Sequence, residues 1–229
     1  MDVLGSEATV LSVVLALLIV VITVVFVLRR SRGGRSNVLI CGISNAGKTV
    51  LYAHLCSGKT VQTYVSIKEN QGQFEHPSSG KVVKLVDIPG NERQRMNVFD
   101  NFKSSARALI FVVDSISFMS ELKDVAEYAY YVLSDPDTSR LPVLIACNKQ
   151  DDSMAKSITV IKSNLEKELN LLRKTQSSKL VTTEGAQLGR VLGSARKDFE
   201  FADLSQTVDF VEFSSTADRT PVLDWLSKL

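Results

Sequence analysis

Gly42-Ile43-Ser44-Asn45-Ala46-Gly47-Lys48-Thr49 has the spacing G-x-x-x-x-G-K-[ST], and it follows a short apolar run, Asn37–Cys41 (NVLIC). No other feature of the chain limits its fold as strongly. Glycines at both ends let the backbone curl so that its N–H groups converge, and a helix starting near Lys48 adds the positive end of its dipole. A loop of this kind cradles the β-phosphate of a nucleotide. Residues Gly42, Ile43, Ser44, Asn45, Ala46, Gly47, Lys48 and Thr49, with Val50 after them, are therefore candidate binding residues. The Lys48 ammonium would neutralise β- and γ-phosphate oxygens, and the Thr49 hydroxyl is placed to ligate Mg²⁺. The motif requires a strand before it and a helix after it, so an α/β domain is expected.

The rest of the chain agrees. Lys81–Val86, Ala108–Val113 (ALIFVV) and Val143–Cys147 (VLIAC) are compact apolar runs. They read as strands covered on both faces, as in a parallel sheet. Phe118, Leu122, Val125, Ala129 and Val132 recur at helical steps, and so do Ile158, Ile161, Leu165, Leu169 and Leu172. Val208–Phe213 reads as a last strand and Pro221–Leu229 as a closing helix with proline in its first turn. The alternation predicts a doubly wound, mostly parallel sheet. Residues 175–198 interrupt it with Gly, Ser and Thr, and six basic against two acidic residues lie between Arg173 and Asp198. A mobile insertion is expected there; a basic surface for membrane or partner is the alternative.

Two further motifs follow strands. Asp87-Ile88-Pro89-Gly90 supplies a carboxylate that can hold Mg²⁺ and, at Gly90, a backbone able to approach a γ-phosphate. Asn148-Lys149-Gln150-Asp151 supplies a paired acceptor, Asp151, suited to guanine's N1–H and exocyclic amine; adenine lacks that amine and presents an acceptor at N1. Asn148 would brace the loop, and the Lys149 stem would lie on the purine face. The ligand implied is GTP with Mg²⁺.

Ahead of this domain, Ala8–Leu28 holds 21 residues without a charge. As a helix the segment would be about 32 Å long, enough to cross a bilayer, and it lacks the polar stripe of a core helix. Asp2 and Glu7 precede it; Arg29, Arg30, Arg32 and Arg35 follow. Positive-inside bias puts residues 1–7 outside the cytosol and the large domain within it, with 29–36 as a basic, glycine-containing linker that anchors to lipid headgroups. The net charge of +2 gives no support for a nucleic-acid binder built on bulk charge, and no direct nucleic-acid site is evident. Three scattered cysteines make neither a disulfide framework nor a zinc site, consistent with a reducing compartment.

The three motifs in this order mark a Ras-like P-loop GTPase over residues 36–229. LIACNKQDDSMAKS, FKSSARALIFVVDS and EKELNLLRKT, together with the single amino-terminal span, resemble the family of signal recognition particle receptor β subunits, which are Arf-related. The resemblance implies an endoplasmic reticulum membrane protein with residues 1–7 lumenal, 8–28 transmembrane and 37–229 a cytosolic GTPase domain. It also implies a partner, the receptor α subunit, and support for docking of ribosome–nascent chain complexes, with ribosome or translocon contact. By the same resemblance Ser66 (alternatively Thr63) is the first-switch hydroxyl on Mg²⁺. Ser214-Ser215-Thr216 replaces the usual Ser-Ala-Lys, with the Ser215 N–H meeting guanine O6.

Asn91 stands where many GTPases have a Gln that orients water; its amide is a methylene shorter, so slow hydrolysis is expected. An Arf-like trafficking GTPase and a GTP-loaded scaffold with negligible turnover are the rival readings, with an ATPase behind both. His54, His76 and Arg107 are assigned no chemistry. Cys41 and Cys147 are expected to pack as small hydrophobes and Trp225 to close the core, and Arg93 and Arg95 to be solvated.

Overall fold

The computed structural model describes residues 16–19, 21–23, 34–58, 68–77, 80–182, 192–193 and 197–229. The chain forms two compact units, Met1–Arg35 and Ser36–Leu229. In the first, residues 16–19 and 21–23 are helical, Leu17, Leu18, Ile19, Val21 and Ile22 are exposed, and the Thr23 hydroxyl donates to the Ile19 carbonyl at 2.7 Å. Among the described residues no helix is long and apolar enough to cross a membrane. Most of the expected span 8–28 lies outside the described residues.

The second unit is built on six strands: β1 (Asn37–Cys41), β2 (Asn70–Glu75), β3 (Val82–Asp87), β4 (Ala106–Asp114), β5 (Val143–Asn148) and β6 (Val208–Glu212). Their order in the sheet is β2-β3-β1-β4-β5-β6. Every pairing is parallel except that of β2 with β3. The helices are α1 (Lys48–Ser57), α2 (Glu92–Phe102), α3 (Phe118–Ser134), α4 (Ile158–Thr182) and α5 (Thr220–Ser227). This is the expected α/β P-loop GTPase fold with a mostly parallel sheet.

The apolar runs are continuous because side chains alternate between two buried faces. Leu39, Leu109, Phe111, Val143 and Ile145 meet Val125, Ala129 and Val132 of α3 and Ile161, Leu165 and Leu169 of α4. Val38, Ile40, Ala108, Ile110 and Leu144 face the other way, onto Leu51 and Leu55 of α1 and Trp225 and Leu226 of α5. Both cores are closed by aromatics. Trp225 also donates its indole N–H to Asp209 at 2.8 Å.

The structure departs from the sequence expectation in places. Edge strand β2 (NQGQFE) buries only Phe74, so it lacks an apolar run to announce it. The predicted break at 175 is instead α-helix as far as Thr182. Farther on, Leu192, Phe199 and Phe201 join the core; residues 183–191 and 194–196 lie outside the described residues. Because β1, β3, β4 and β5 are parallel, their carboxyl ends share one edge, with Ile40 opposite Asp87 and Asp114 opposite Asn148. At β1 the connections diverge to either side, which opens a crevice at that edge.

Candidate functional site

The crevice is a cleft of about 540 Å³, lined along one side by Ser44, Asn45 and Gly47–Val50 and along the other by Lys149, Asp151 and Thr216. Its floor loop depends on glycine. Gly42 (φ +136°) and Gly47 (φ +93°) adopt backbone that L side chains rarely take. A Cβ on Gly47 would lie 2.1 Å from the Asn148 side-chain nitrogen, and one on Gly42 2.3 Å from the Val112 carbonyl oxygen. Asn45 is left-handed as well, at φ 64°.

Lys48 is 5% exposed, and its ammonium donates to the Ile43 carbonyl across the loop at 2.6 Å. Burial pulls its pKa down to about 8, against the attraction of Asp87. The Thr49 hydroxyl donates to Asp87 Oδ2 at 2.8 Å, and Asn70 Nδ2 donates to the same oxygen at 3.0 Å. Asp87 is fully buried, and its Oδ1 has no hydrogen-bond partner among the described residues. Burial raises its carboxyl pKa, with the Asn70 and Thr49 hydrogen bonds and the Lys48 charge opposing. Gly90 is pressed so closely on the loop that a Cβ would fall 2.5 Å from the Ser44 nitrogen and 2.7 Å from Lys48 Nζ. This chemistry suits a polyphosphate with a divalent cation: a buried cation, a hydroxyl–carboxylate pair and an orphaned carboxylate oxygen meet at a helix N-terminus.

Next to Gly90, Asn91 is the N-cap of α2, and its side-chain oxygen accepts the Arg93 N–H at 3.0 Å. The expectation that Arg95 is solvated fails. It is 2% exposed, its guanidinium forks onto the Asp124 carboxylate of α3, and it stacks 4.8 Å from the Tyr128 ring centroid.

At the other end of the cleft, Asn148 ties two loops together. Its Nδ2 donates to the Ala46 carbonyl at 2.8 Å and its Oδ1 accepts the Ser215 N–H at 2.9 Å. The Ser215 N–H expected to meet guanine O6 thus lies at this end of the cleft, bonded to Asn148. The neighbouring Thr216 lines the cleft, and its N–H donates to the Ser214 hydroxyl at a longer 3.3 Å. Lys149 adopts φ 68°, and its ammonium donates to Asp114 Oδ2 at 2.6 Å. Asp151 is exposed at the rim.

Thus Ser44, Asn45, Gly47, Lys48, Thr49, Val50, Gly90, Asn148, Lys149, Asp151 and Ser215 share one cleft. Gly42, Ile43, Ala46, Asp87 and Ser214 support it from behind, through the contacts above and the bond from Ala217 N–H to Ser214 Oγ at 3.0 Å. Ser66 and Thr63 lie outside the described residues. Asn70, Asp114 and Ile116 were not foreseen, since a polar edge strand and a strand-ending Asp carry no signature of their own.

Of the residues assigned no chemistry, Arg107 donates to the Leu229 carbonyl and His76 stacks edge-on against Phe74 at 5.9 Å between centroids. Cys41 and Cys147 are buried, and burial pushes both thiols up to about 12.

The sequence profile of the family described as signal recognition particle receptor beta subunit matches residues 34–208. The human signal recognition particle receptor subunit beta is 40% identical over 98% of this chain and 88% of its own length. Among solved structures, the mammalian SRP receptor superimposes with a TM-score of 0.73 at 42% identity, covering 84% of this chain and 98% of that one. The SRb-GTP/SRX complex of Chaetomium thermophilum reaches 0.63 at 24% identity, over 84% and 97% of the two chains, a likeness of fold. With the profile spanning most of the chain and the relatives matched almost end to end, this protein belongs to the signal recognition particle receptor beta subunit family.

Proposed function

We propose that the protein is a membrane-anchored, GTP-binding subunit that holds the receptor α subunit at the endoplasmic reticulum membrane. The observation that carries the reading is the convergence of the 42–49 loop, Asp87, Gly90 and the 148–151 loop on one cleft. A structural relative supports it: the SRb of Chaetomium thermophilum is seen as an SRb-GTP/SRX complex.

In this reading the backbone amides of residues 43–49 and the Lys48 ammonium hold the phosphates. Thr49, Asp87 and a first-switch hydroxyl (Ser66, or Thr63) hold Mg²⁺. Bound Mg²⁺·GTP supplies the γ-phosphate charge that orders the switches. Asp151 reads the guanine edge, and the N–H of Ser215, or of the neighbouring Thr216, meets O6. The ordered surface near Gly90 and α2 then meets the α subunit, and through it the ribosome or translocon.

Residues 8–28 form the anchor, with 1–7 lumenal, the arginines of 29–36 at the lipid headgroups and 37–229 cytosolic. The exposed side chains of Leu17, Leu18, Ile19, Val21 and Ile22 and the internally bonded Thr23 hydroxyl suit a lipid setting. Residues 175–198 remain a candidate contact for membrane or partner.

A second reading, a GTP-loaded scaffold with slow turnover, draws on one observation. The Asn91 amide oxygen caps α2 by accepting the Arg93 N–H, a task that competes with orienting a water. Nucleotide released from freshly purified full-length protein separates the two: stoichiometric GTP favours the scaffold, mostly GDP a cycling enzyme.

The base-recognition half is tested by Asp151→Asn in the full chain in detergent. Preference is expected to move from guanine toward xanthine nucleotides by about two orders of magnitude, as for a lost paired hydrogen bond. Unchanged guanine binding refutes the assignment. Recovery of the α subunit by GTP-loaded but not GDP-loaded protein is the matching test of the partner.

A further inference from the structure

We propose that Asp114, the last residue of β4, is a positioning residue for the purine: it holds the Lys149 side chain so that its methylene stem stands ready to cover the base. The inference rests on the guanine-nucleotide reading above and adds to it a residue outside the three motifs.

The Asp114 side chain is 7% exposed although it ends a strand at the mouth of the cleft. Its two oxygens have separate tasks. Oδ1 accepts the Ile116 N–H at 2.9 Å and the Ser117 N–H at 3.4 Å, which fixes the carboxylate on its own turn. Oδ2 is left toward the 148–151 loop and accepts the Lys149 ammonium at 2.6 Å. Although burial works against it, the Lys149 hydrogen bond and the Ile116 N–H hold this carboxyl below its ordinary range, so it is charged throughout neutral pH.

Lys149 sits in the left-handed region, a conformation costly for a residue with a Cβ and retained where surroundings enforce it. The surroundings are the same turn. Ser115 N–H donates to the Asn148 carbonyl at 3.1 Å, and Gln150 Nε2 donates to the Ser115 hydroxyl at 2.9 Å. The turn 114–117 and the loop 148–151 are therefore one hydrogen-bonded body. Ile116, from the same turn, lines the cleft beside Lys149.

A free lysine stem has much rotamer entropy to lose on covering a ligand. Tying its ammonium down beforehand removes that cost from binding, which is preorganisation. An ordinary half-exposed ion pair would instead contribute little and act on the fold alone. The two roles differ in what they couple to.

The test is the dissociation rate of fluorescently labelled GDP and GTP from the full-length protein in detergent micelles. Asp114→Asn is expected to release both nucleotides about tenfold faster and to leave the GTP:GDP ratio within twofold. Lys149→Met should have an effect of similar size, and the double variant should be no faster than the stronger single one, because the two residues act through one contact. Asp114→Glu, which keeps the charge on a longer arm, should fall between wild type and Asp114→Asn and serves also if the asparagine variant does not fold. Multiplying effects in the double variant, or a wild-type rate in Asp114→Asn or Asp114→Glu, overturns the proposal. Absence of guanine-nucleotide binding by the wild type would instead defeat the functional reading on which it stands.

Discussion

At the base end of the cleft the polar groups are paired within the protein: the Asn148 amide is used at both its nitrogen and its oxygen, Lys149 is tied to Asp114, and Gln150 to Ser115. At the phosphate end Lys48 donates to a backbone carbonyl of its own loop, and Asp87 keeps a buried oxygen without a partner among the described residues. One end is held together by the protein's own hydrogen bonds; the other holds desolvated charge that a ligand would relieve. Selectivity thus belongs to geometry already in place, and affinity and state-sensing to charge that is poorly satisfied by the protein alone.

Removing the charge should produce the largest effect. Lys48→Ala is expected to weaken GDP and GTP binding by about two to three orders of magnitude, the cost of unpairing buried charge. Equilibrium titration with labelled nucleotide measures it, and a loss under tenfold would erase the distinction between the two ends. Asn148→Ala attacks the other side. It strips the Ala46 carbonyl and the Ser215 N–H of their partner, so the nucleotide-free protein should lose about 3 kcal/mol and melt several degrees lower. If its melting is unchanged while binding falls, the base end is not preassembled.

Acidity sharpens the contrast further. Free Lys48 titrates near 8, below the ordinary lysine value of 10.5, because burial disfavours its charge. The unfolded chain then holds more protons than the folded one between those values, so this residue's contribution to the stability of the nucleotide-free protein rises with pH across that window. Nucleotide binding restores the charge by taking up a proton. Affinity should fall up to about tenfold per pH unit above 8, with buffer-dependent heats in calorimetry; pH-independent affinity from 8 to 9.5 would contradict this. The smallest effect is expected at Asn91. Asn91→Ala should cost about 1 kcal/mol through the lost cap and leave single-turnover hydrolysis within twofold. A tenfold drop in hydrolysis would return Asn91 to the chemistry.

The two ends also differed in how openly they could be read from the sequence. The phosphate loop, the Asp87–Gly90 step and the 148–151 loop are local motifs on strands buried on both faces, so both pattern and place were legible. Asn70 and Asp114 act across the sheet, and long-range contacts leave no spacing to detect. Strand β2 was hidden because an edge strand that buries only Phe74 need not be apolar. Arg95 was misjudged for a related reason: in ERQRMN nothing marks which basic side chain will find a carboxylate and an aromatic ring on the next helix.

That guanidinium has one last implication. Its charge is held on α3 by the half-exposed Asp124 carboxylate and the Tyr128 ring, which ties α2 to its neighbour. A docking event that pulls on α2 must first part the fork from Asp124 and leave the buried guanidinium without that partner. The helix is thereby biased toward snapping between positions over drifting among them, a mechanical threshold that would keep glancing encounters from being mistaken for engagement.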